Sequence, residues 1–174
     1  KKFTWSVRYF FNTINRDLHS TSLSISEDSC TVIATNTDCA TAVCASGYSF
    51  GRACWRFKTN WEDHHNIFMG VAKLKDQDTV REAETCRKVQ GWWWRGEHCQ
   101  QHTHDRSSDI TVPYKNCYAA MTIDLNRQRI ELLFEGMERV KILSLPSDCA
   151  SGEGKWYPYF RLNNTGESIT IRGK

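Results

Sequence analysis

The sequence predicts an all-β fold, an antiparallel sandwich of two sheets that forms a single domain over residues 1–174. Apolar and polar residues alternate along many short segments, and this period of two is typical of strands with one buried face. Helical periodicity is scarce, and turn-forming residues separate the alternating segments at regular spacing. A chain of 174 residues, 40% of them hydrophobic, can bury such a core without disulfides or metals. Residues 1–20 are expected to be an N-terminal extension that packs on the sandwich.

The first predicted hairpin lies near the start of the chain. Leu23 and Ile25 alternate with serines, the turn residues Glu27-Asp28-Ser29 follow, and Thr31-Val32-Ile33 resumes the strand pattern.

Two core strands are predicted in the middle of the chain. Trp55, Phe57 and Thr59 occupy alternate positions of the first strand. The second is the continuous apolar run Ile67-Phe68-Met69-Gly70-Val71-Ala72, of the kind found in strands that are covered on both faces. We expect these two strands to be neighbours in the core.

Only residues 78–89 have a helical spacing. Val80, Ala83 and Cys86 recur at helical intervals after a candidate cap at Asp78. A loop is an equally good interpretation of this segment.

The clearest hairpin lies in the last third of the chain. Alternating apolar residues from Met121 to Leu125 and from Ile130 to Phe134 flank a polar turn at residues 126–129. Two final strands, at residues 156–162 and 168–171, are joined by Asn163-Asn164-Thr165-Gly166, whose residue types suit a tight turn.

Cysteine spacing and net charge indicate the cellular compartment and the kind of partner. The eight cysteines are irregularly spaced, which favours reduced thiols and an intracellular protein, cytoplasmic or nuclear, over a secreted one with a sequon at Asn163-Asn164-Thr165. No segment is apolar enough to cross a membrane, and Lys1–Phe11 lacks a signal-peptide pattern. The net charge of +3 does not indicate a nucleic-acid partner. A monomer is expected.

Five motifs, in order along the chain, resemble the SPRY (B30.2) family. They comprise a glycine-led segment ending in an aromatic strand, a buried strand ending Gly-Val-Ala, a tryptophan-rich segment, an Asp-Leu hairpin closing on glycine, and a Tyr-Pro strand before a closing strand. In this sequence they are Ser46-Gly47 with Ala53-Cys54-Trp55-Arg56-Phe57, then Ile67-Phe68-Met69-Gly70-Val71-Ala72, then Gly91-Trp92-Trp93-Trp94, then Asp124-Leu125 with Phe134-Glu135-Gly136, and last Trp156-Tyr157-Pro158-Tyr159-Phe160 with Ser168-Ile169-Thr170-Ile171.

The resemblance implies a bent two-sheet antiparallel sandwich of the SPRY/concanavalin-like type with no catalytic centre. Its loops are expected to bind a peptide or a folded protein, as the substrate-recognition part of a ubiquitin ligase or as an adaptor. One SPRY subgroup carries Val-Trp-Gly after the Tyr-Pro strand and uses it to hold an asparagine-rich peptide. Asn163-Asn164-Thr165 stands at the matching place here, so a different ligand chemistry is expected.

Three other patterns could carry chemistry, and each has a simpler interpretation. Gly47-Tyr48-Ser49-Phe50-Gly51 matches a serine-hydrolase nucleophile motif, but the following residues alternate as a strand where that motif needs a helix. Glu62-Asp63-His64-His65 favours a solvated loop over an acid–base pair. A zinc site is conceivable but lacks a Cys-x-x-Cys pair; its candidate ligands would be Cys86, His98, Cys99, His102 and His104.

The run Trp92-Trp93-Trp94 is predicted to divide between two faces of a strand. Trp92 and Trp94 share one face and Trp93 takes the other, so all three are core residues only if both faces are covered. Either two indoles pack inside and one covers an edge, or one indole and Arg95 lie in a binding groove.

The leading functional hypothesis is a non-catalytic protein-interaction module. Lectin-like glycan binding is the alternative, and serine hydrolysis is a remote third. No cofactor, catalytic residue or metal ligand is predicted. The candidate partner-binding residues, chosen as loop or edge positions, are Tyr48, Arg52, Trp61, Trp93, Arg95, Tyr114, Asn163 and Asn164.

Overall fold

A computed structural model of the chain describes residues 12–60, 66–75, 78–86, 88–95, 98–102, 109–111, 118–135, 140–146 and 153–172. At positions 60, 94–95, 98–102 and 109–111 the description covers the backbone alone.

Fourteen strands and one short helix form in this part of the chain. In order they are β1 (Ile14–His19), β2 (Leu23–Ile25), β3 (Thr31–Ala34), β4 (Ala40–Cys44), β5 (Arg52–Asn60), β6 (Asn66–Leu74), α1 (Val80–Glu84), β7 (Val89–Arg95), β8 (His98–His102), β9 (Asp109–Thr111), β10 (Tyr118–Asp124), β11 (Arg129–Phe134), β12 (Lys141–Ser144), β13 (Lys155–Leu162) and β14 (Ser168–Arg172).

The strands form two seven-stranded sheets in which neighbouring strands are antiparallel. Sheet I has the order β1-β4-β13-β6-β7-β8-β9, and sheet II has the order β12-β11-β10-β5-β14-β3-β2. The predicted all-β, two-sheet antiparallel sandwich is therefore confirmed.

The core lies between the two sheets and follows the period-two pattern of the sequence. Trp55 and Phe57 of β5 are fully buried, and the Phe57 ring meets Phe160 of sheet I edge to face, with 6.3 Å between ring centroids. Strand β6 is buried on both faces: Met69 faces the main core, whereas Phe68 joins a second apolar cluster on the outer side of sheet I. This double burial accounts for the continuous apolar run in β6.

The hairpins predicted at residues 23–33 and 121–134 are both present, and in the structure they span residues 23–34 and 118–134. Strand β2 pairs with β3, with Leu23 opposite Ala34, and β10 pairs with β11, with Asp124 opposite Arg129. Both connections are short, which is the usual reason that sequential antiparallel strands pair.

The expectation that β5 and β6 are neighbours is wrong, because they belong to different sheets. Strand β5 pairs with β10 and β14, and β6 pairs with β13 and β7. The chain also passes from sheet I to sheet II between β13 and β14, so the predicted turn at residues 163–166 joins two sheets. The pairs β5–β6 and β13–β14 therefore contribute to the same core from opposite sheets.

The helical spacing at residues 78–89 corresponds to a much shorter helix. Thr79, not Asp78, is the N-cap, because Thr79 and Glu82 form a reciprocal capping box. The Asp78 carboxylate instead accepts a hydrogen bond from the Lys75 backbone N–H at 2.8 Å. Val89 belongs to β7, and the buried Ala83 packs helix α1 on the second apolar cluster.

Part of the predicted N-terminal extension is a strand of the sandwich. Strand β1 pairs with β4 at the edge of sheet I. Asn12, two residues before β1, is bonded to the loop after β4: its side-chain amide donates to the Ser46 carbonyl at 3.1 Å and its Oδ1 accepts from the Ser46 N–H. Within the described ranges, no helix is long and apolar enough to span a membrane.

Candidate recognition surface

The loops that the structure describes include several at two opposite ends of the sandwich. One end carries the turn at residues 163–166, which follows the last residue of β13, Leu162, and the loop at residues 35–39. We call it the turn end. We call the other end, with the residue 45–51 loop and the β10–β11 turn at residues 125–128, the hairpin end. Tyr48 pairs there with Trp156, near the start of β13.

The turn end is organised by Glu167, whose side chain is completely buried. Glu167 Oε1 accepts hydrogen bonds from the Asn66 backbone N–H at 2.5 Å and from the Asn164 side-chain amide at 2.7 Å. Its Oε2 accepts from the backbone N–H groups of Asn163 and Asn164, at 2.6 and 3.1 Å. Four donors therefore compensate the burial of one carboxylate, as a buried charge requires.

The two predicted contact residues of this turn are part of the same network. The Asn163 side-chain amide donates to the Asn66 carbonyl at 2.7 Å, and both Asn163 and Asn164 are half-buried. The most exposed residues of the turn are Thr165 and Gly166. Gly166 has a φ of +87° and donates its N–H to the Ala34 carbonyl, so this position favours glycine. The tip of the turn is thus exposed to solvent, while hydrogen bonds hold the residues that precede it.

The residue 35–39 loop lies beside this turn and is exposed throughout. Thr35 bonds to the Ser22 carbonyl through both its N–H and its hydroxyl, each at 2.9 Å. Asn36 Oδ1 accepts from the Asp38 N–H at 2.9 Å, which closes an Asx turn. The loop therefore has internal order and offers short polar side chains at its surface.

Helix α1 is attached next to the turn end by a polar network around Tyr159. The Tyr159 hydroxyl donates to the Ala83 carbonyl at 2.7 Å and accepts from Arg161 Nε at 2.7 Å. Arg161 also donates to the Glu84 carbonyl at 2.9 Å, and the Glu84 carboxylate accepts from the Ser20 hydroxyl. Burial is the main cause that raises the pKa of Tyr159, which keeps its hydroxyl a donor.

The tryptophan run divides between two faces as predicted for Trp92 and Trp93. Trp92 is fully buried in the main core, whereas Trp93 is half-buried on the outer face of sheet I. The Trp93 ring packs against Phe68, with 5.2 Å between centroids. The side chain of Trp94 lies outside the description.

Two predicted contact residues lie at the hairpin end, far from the asparagine turn. Tyr48 stacks on Trp55 with the ring planes within 3° of parallel and 6.2 Å between centroids. Arg52 is exposed and pairs with Glu131 on sheet II, with 3.3 Å between Nη2 and Oε2.

The remaining predicted residues approach the turn end or fall outside the description. Arg95 is the last residue of β7, and its backbone is paired with Asn66, the residue to which the asparagine turn is bonded. Trp61 and Tyr114 are outside the described residues. The structure therefore brings Arg95, Asn163 and Asn164 towards one end, with Tyr48 and Arg52 at the other.

Sequence reasoning missed Glu167, the residue on which the turn depends. A single glutamate before a closing strand has no distinctive pattern, and charged residues are ordinarily exposed. One of its donors, Asn66, precedes it by 101 positions. Only the folded chain brings these groups together.

The candidate nucleophiles in the described residues are Ser49 and five cysteine thiols. Ser49 lies in a loop that leads into strand β5, so the helix required by a nucleophile elbow is absent from this place. The thiols of Cys30, Cys39, Cys44, Cys54 and Cys86 are free, and burial is the main cause that raises the pKa of each. The part of the chain that the structure describes has no group of three His, Cys, Asp or Glu residues placed to hold a metal ion.

Comparison with solved structures places this fold among SPRY domains. The TRIM65 PSpry domain matches with a TM-score of 0.72 at 12% identity, over 96% of this chain and 94% of that chain. The SPRY domain of human HERC1 matches with a TM-score of 0.66 at 13% identity, over 91% of this chain and 96% of that chain. Stonustoxin matches with a TM-score of 0.67 at 13% identity, over 94% of this chain but 27% of that chain.

At sequence level, no protein-family model and no curated protein matches the chain. The similarity at 12–13% identity is one of fold. The chain has the SPRY fold, so the resemblance predicted from its motifs is confirmed at the level of architecture.

Proposed function

From the SPRY fold and the architecture of the turn end, we propose that this chain is a non-catalytic protein-interaction module. It binds a peptide or a folded partner through the turn end. A place in a ubiquitin ligase as the substrate-recognition part, or in an adaptor, is the setting that the SPRY resemblance implies.

The observation that carries this proposal is the buried Glu167 carboxylate and its four N–H donors. A loop that is already fixed loses little conformational entropy when it binds, so more of the contact energy appears as affinity. A buried carboxylate is a costly way to hold a turn, and ordinary sandwich connections do not need one. Its presence here supports a binding role for the turn.

The surface chemistry of the turn end suits a polypeptide ligand. The exposed turn tip at Thr165 and the residue 35–39 loop present hydroxyl, amide and backbone groups, which can satisfy the hydrogen bonds of an extended peptide. Asp38 is the acidic side chain of that loop, and Arg95 ends β7 opposite Asn66. The Asp38 carboxylate can therefore pair with a basic group of the ligand at the turn end.

The described residues also support the non-catalytic part of the proposal. The thiols there have raised pKa values, and Ser49 is followed by a strand. Raised thiol pKa values and a strand directly after the serine do not favour nucleophilic catalysis.

A capture experiment with two matched variants tests the proposal. Thr165→Arg places a long cation at the exposed tip of the turn end, and Asn126→Arg places the same group at the exposed tip of the β10–β11 turn, at the hairpin end. Immobilised wild-type protein, Thr165→Arg and Asn126→Arg are each exposed to cell lysate, and retained proteins are identified by mass spectrometry. Circular dichroism confirms that all three are folded.

We expect specific proteins that wild type and Asn126→Arg retain and that Thr165→Arg loses. Equal retention by Thr165→Arg and wild type contradicts a role of the turn end. Retention of no specific protein by wild type contradicts the interaction module itself.

A further inference from the structure

A pocket of about 160 Å³ opens between the two sheets at the hairpin end, on the side of the molecule opposite the turn end. Sheet I contributes residues of β6 and β13, and sheet II contributes the β10–β11 turn and the residue after β12. The lining residues are Ser49, Lys73, Leu125, Gln128, Leu145, Gly154 and Trp156. We call this the inter-sheet pocket.

The unusual residue of the inter-sheet pocket is Lys73. Met69 and Val71, at alternate positions of β6, point into the main core, and Lys73 continues that face at the end of the strand. It is 8% exposed, and its Nζ lies 6.0 Å from the centroid of the Trp156 ring. An apolar side chain would close the core here at no electrostatic cost, so a lysine at this place is a candidate binding group.

The chemistry of the pocket matches a carboxylate on a short aliphatic stem. An ammonium has three N–H donors, so Lys73 can donate to a ligand oxygen in addition to its contacts within the protein. Gln128 and Ser49 offer further polar groups at the wall, while Leu125, Leu145 and Trp156 provide an apolar lining. The volume suits one side chain, since pockets for drug-sized molecules are about 300–1,000 Å³.

Phe50 directly follows the lining residue Ser49 and is 84% exposed. The loop that carries it is fixed on both sides. Before it, Tyr48 and Trp156 exchange two backbone hydrogen bonds of 2.8 Å; after it, the Gly51 carbonyl accepts from the Leu125 N–H at 2.9 Å. Gly51 has a φ of +78°, a conformation that favours glycine and lets the loop turn here. A large apolar ring held in solvent next to a polar pocket is typical of a binding surface.

We propose that the inter-sheet pocket binds the acidic side chain of a peptide whose neighbouring apolar residue packs on Phe50. The carboxylate receives hydrogen bonds from the Lys73 ammonium, and the stem of the side chain lies against Trp156. This site is separate from the turn end and does not depend on the function proposed for it.

The test uses two short peptides and nuclear magnetic resonance. Acetyl-Leu-Glu-Leu-amide and acetyl-Leu-Gln-Leu-amide differ only in charge, and each is titrated into ¹⁵N-labelled protein. We expect saturable shifts of the Lys73 and Gln128 backbone amides and of the Trp156 indole with the glutamate peptide. The glutamine peptide should bind at least about tenfold more weakly, because it loses the charge-assisted bond.

Two variants locate the binding site. Lys73→Gln should remove the preference for the glutamate peptide. Phe50→Ser, at an exposed position on which folding does not depend, should weaken the glutamate peptide about fivefold through loss of apolar contact. If Lys73→Gln does not fold, the Phe50→Ser result decides by itself.

Three outcomes would overturn the proposal. The first is equal binding of the two peptides to wild-type protein. The second is the absence of saturable shifts at the pocket residues, including the case in which shifts appear only at the turn end. The third is unchanged binding of the glutamate peptide by Phe50→Ser.

Discussion

At the scale of single residues, Glu167 links a buried charge to an exposed turn. Its carboxylate joins the backbone of residues 163–164 to the first residue of β6, across two segments that are distant in sequence. Without it, three backbone or side-chain donors of the asparagine pair would lose their acceptor at a place with limited access to water. The shape of the turn therefore depends on one side chain that a ligand would never touch.

Substitution of this carboxylate by its amide measures that dependence. Glu167→Gln keeps the volume but turns an N–H₂ group towards N–H donors, so we expect the free energy of unfolding to fall by about 2–4 kcal/mol. Glu135→Gln is the control, because the Glu135 side chain is 60% exposed and pairs with Arg56 at 3.6 Å. That change should cost less than about 0.5 kcal/mol. Urea denaturation of both variants gives the comparison, and similar small losses would refute the role of Glu167.

His19 gives the protein a pH dependence with a definite sign. Burial, followed by the charge of Arg16, lowers the pKa of His19 below its usual 6.5. The folded state then favours the neutral ring more than the unfolded chain does. Its contribution to stability is complete above about pH 6.5 and is lost as the pH falls towards the folded pKa.

Unfolding measured across this range should show the effect. We expect the wild-type protein to lose more stability than His19→Asn as the pH is lowered from neutral to mildly acidic values. The other five histidines are common to both proteins, so the difference isolates His19. Parallel pH profiles would exclude the effect.

At the scale of elements, β7 shows how one strand can serve two apolar clusters. Trp92 faces the main core between the sheets, and Trp93 faces the second cluster on the outside of sheet I, against Phe68. Helix α1 packs on that same cluster through Ala83. The sheet is thus covered on both sides, which explains consecutive large side chains in β6 and β7.

The two tryptophans should differ in their effect on stability. Trp92→Ala removes a fully buried side chain and should reduce the free energy of unfolding by about 3–5 kcal/mol. Trp93→Ala removes a half-buried one and should cost about 1–2 kcal/mol. Chemical denaturation gives both values. A larger loss for Trp93→Ala would place the main core on the other face of β7.

At the scale of the whole molecule, strands could be predicted from sequence and their partners only in part. The alternation around Trp55 and around Met121 predicts strands because a half-buried sheet imposes a period of two. The hairpins at residues 23–34 and 118–134 could be predicted because the strands that pair in them are close in sequence. The assignment of β5 and β6 to different sheets could not be predicted from sequence, because it depends on pairing with β10, β13 and β14, far along the chain.

The candidate site, too, could be predicted from sequence only in part. The asparagine turn was predicted from its residue types and from the SPRY resemblance, and it does form a connection at one end of the sandwich. Sequence patterns do not separate Tyr48 and Arg52 from this turn, although both lie at the hairpin end, because such patterns do not show at which end a loop emerges. No sequence pattern indicates the inter-sheet pocket, because the residues that line it come from both sheets.

Site-specific photo-crosslinking tests recognition through the turn end. A benzophenone amino acid is placed at Thr165 in one variant and at Asn126 in another, and each is irradiated in lysate. We expect covalent adducts from position 165 with the proteins that wild type retains and Thr165→Arg loses, and none of these adducts from position 126. Adducts with the same proteins from position 126 and not from position 165 would contradict this expectation.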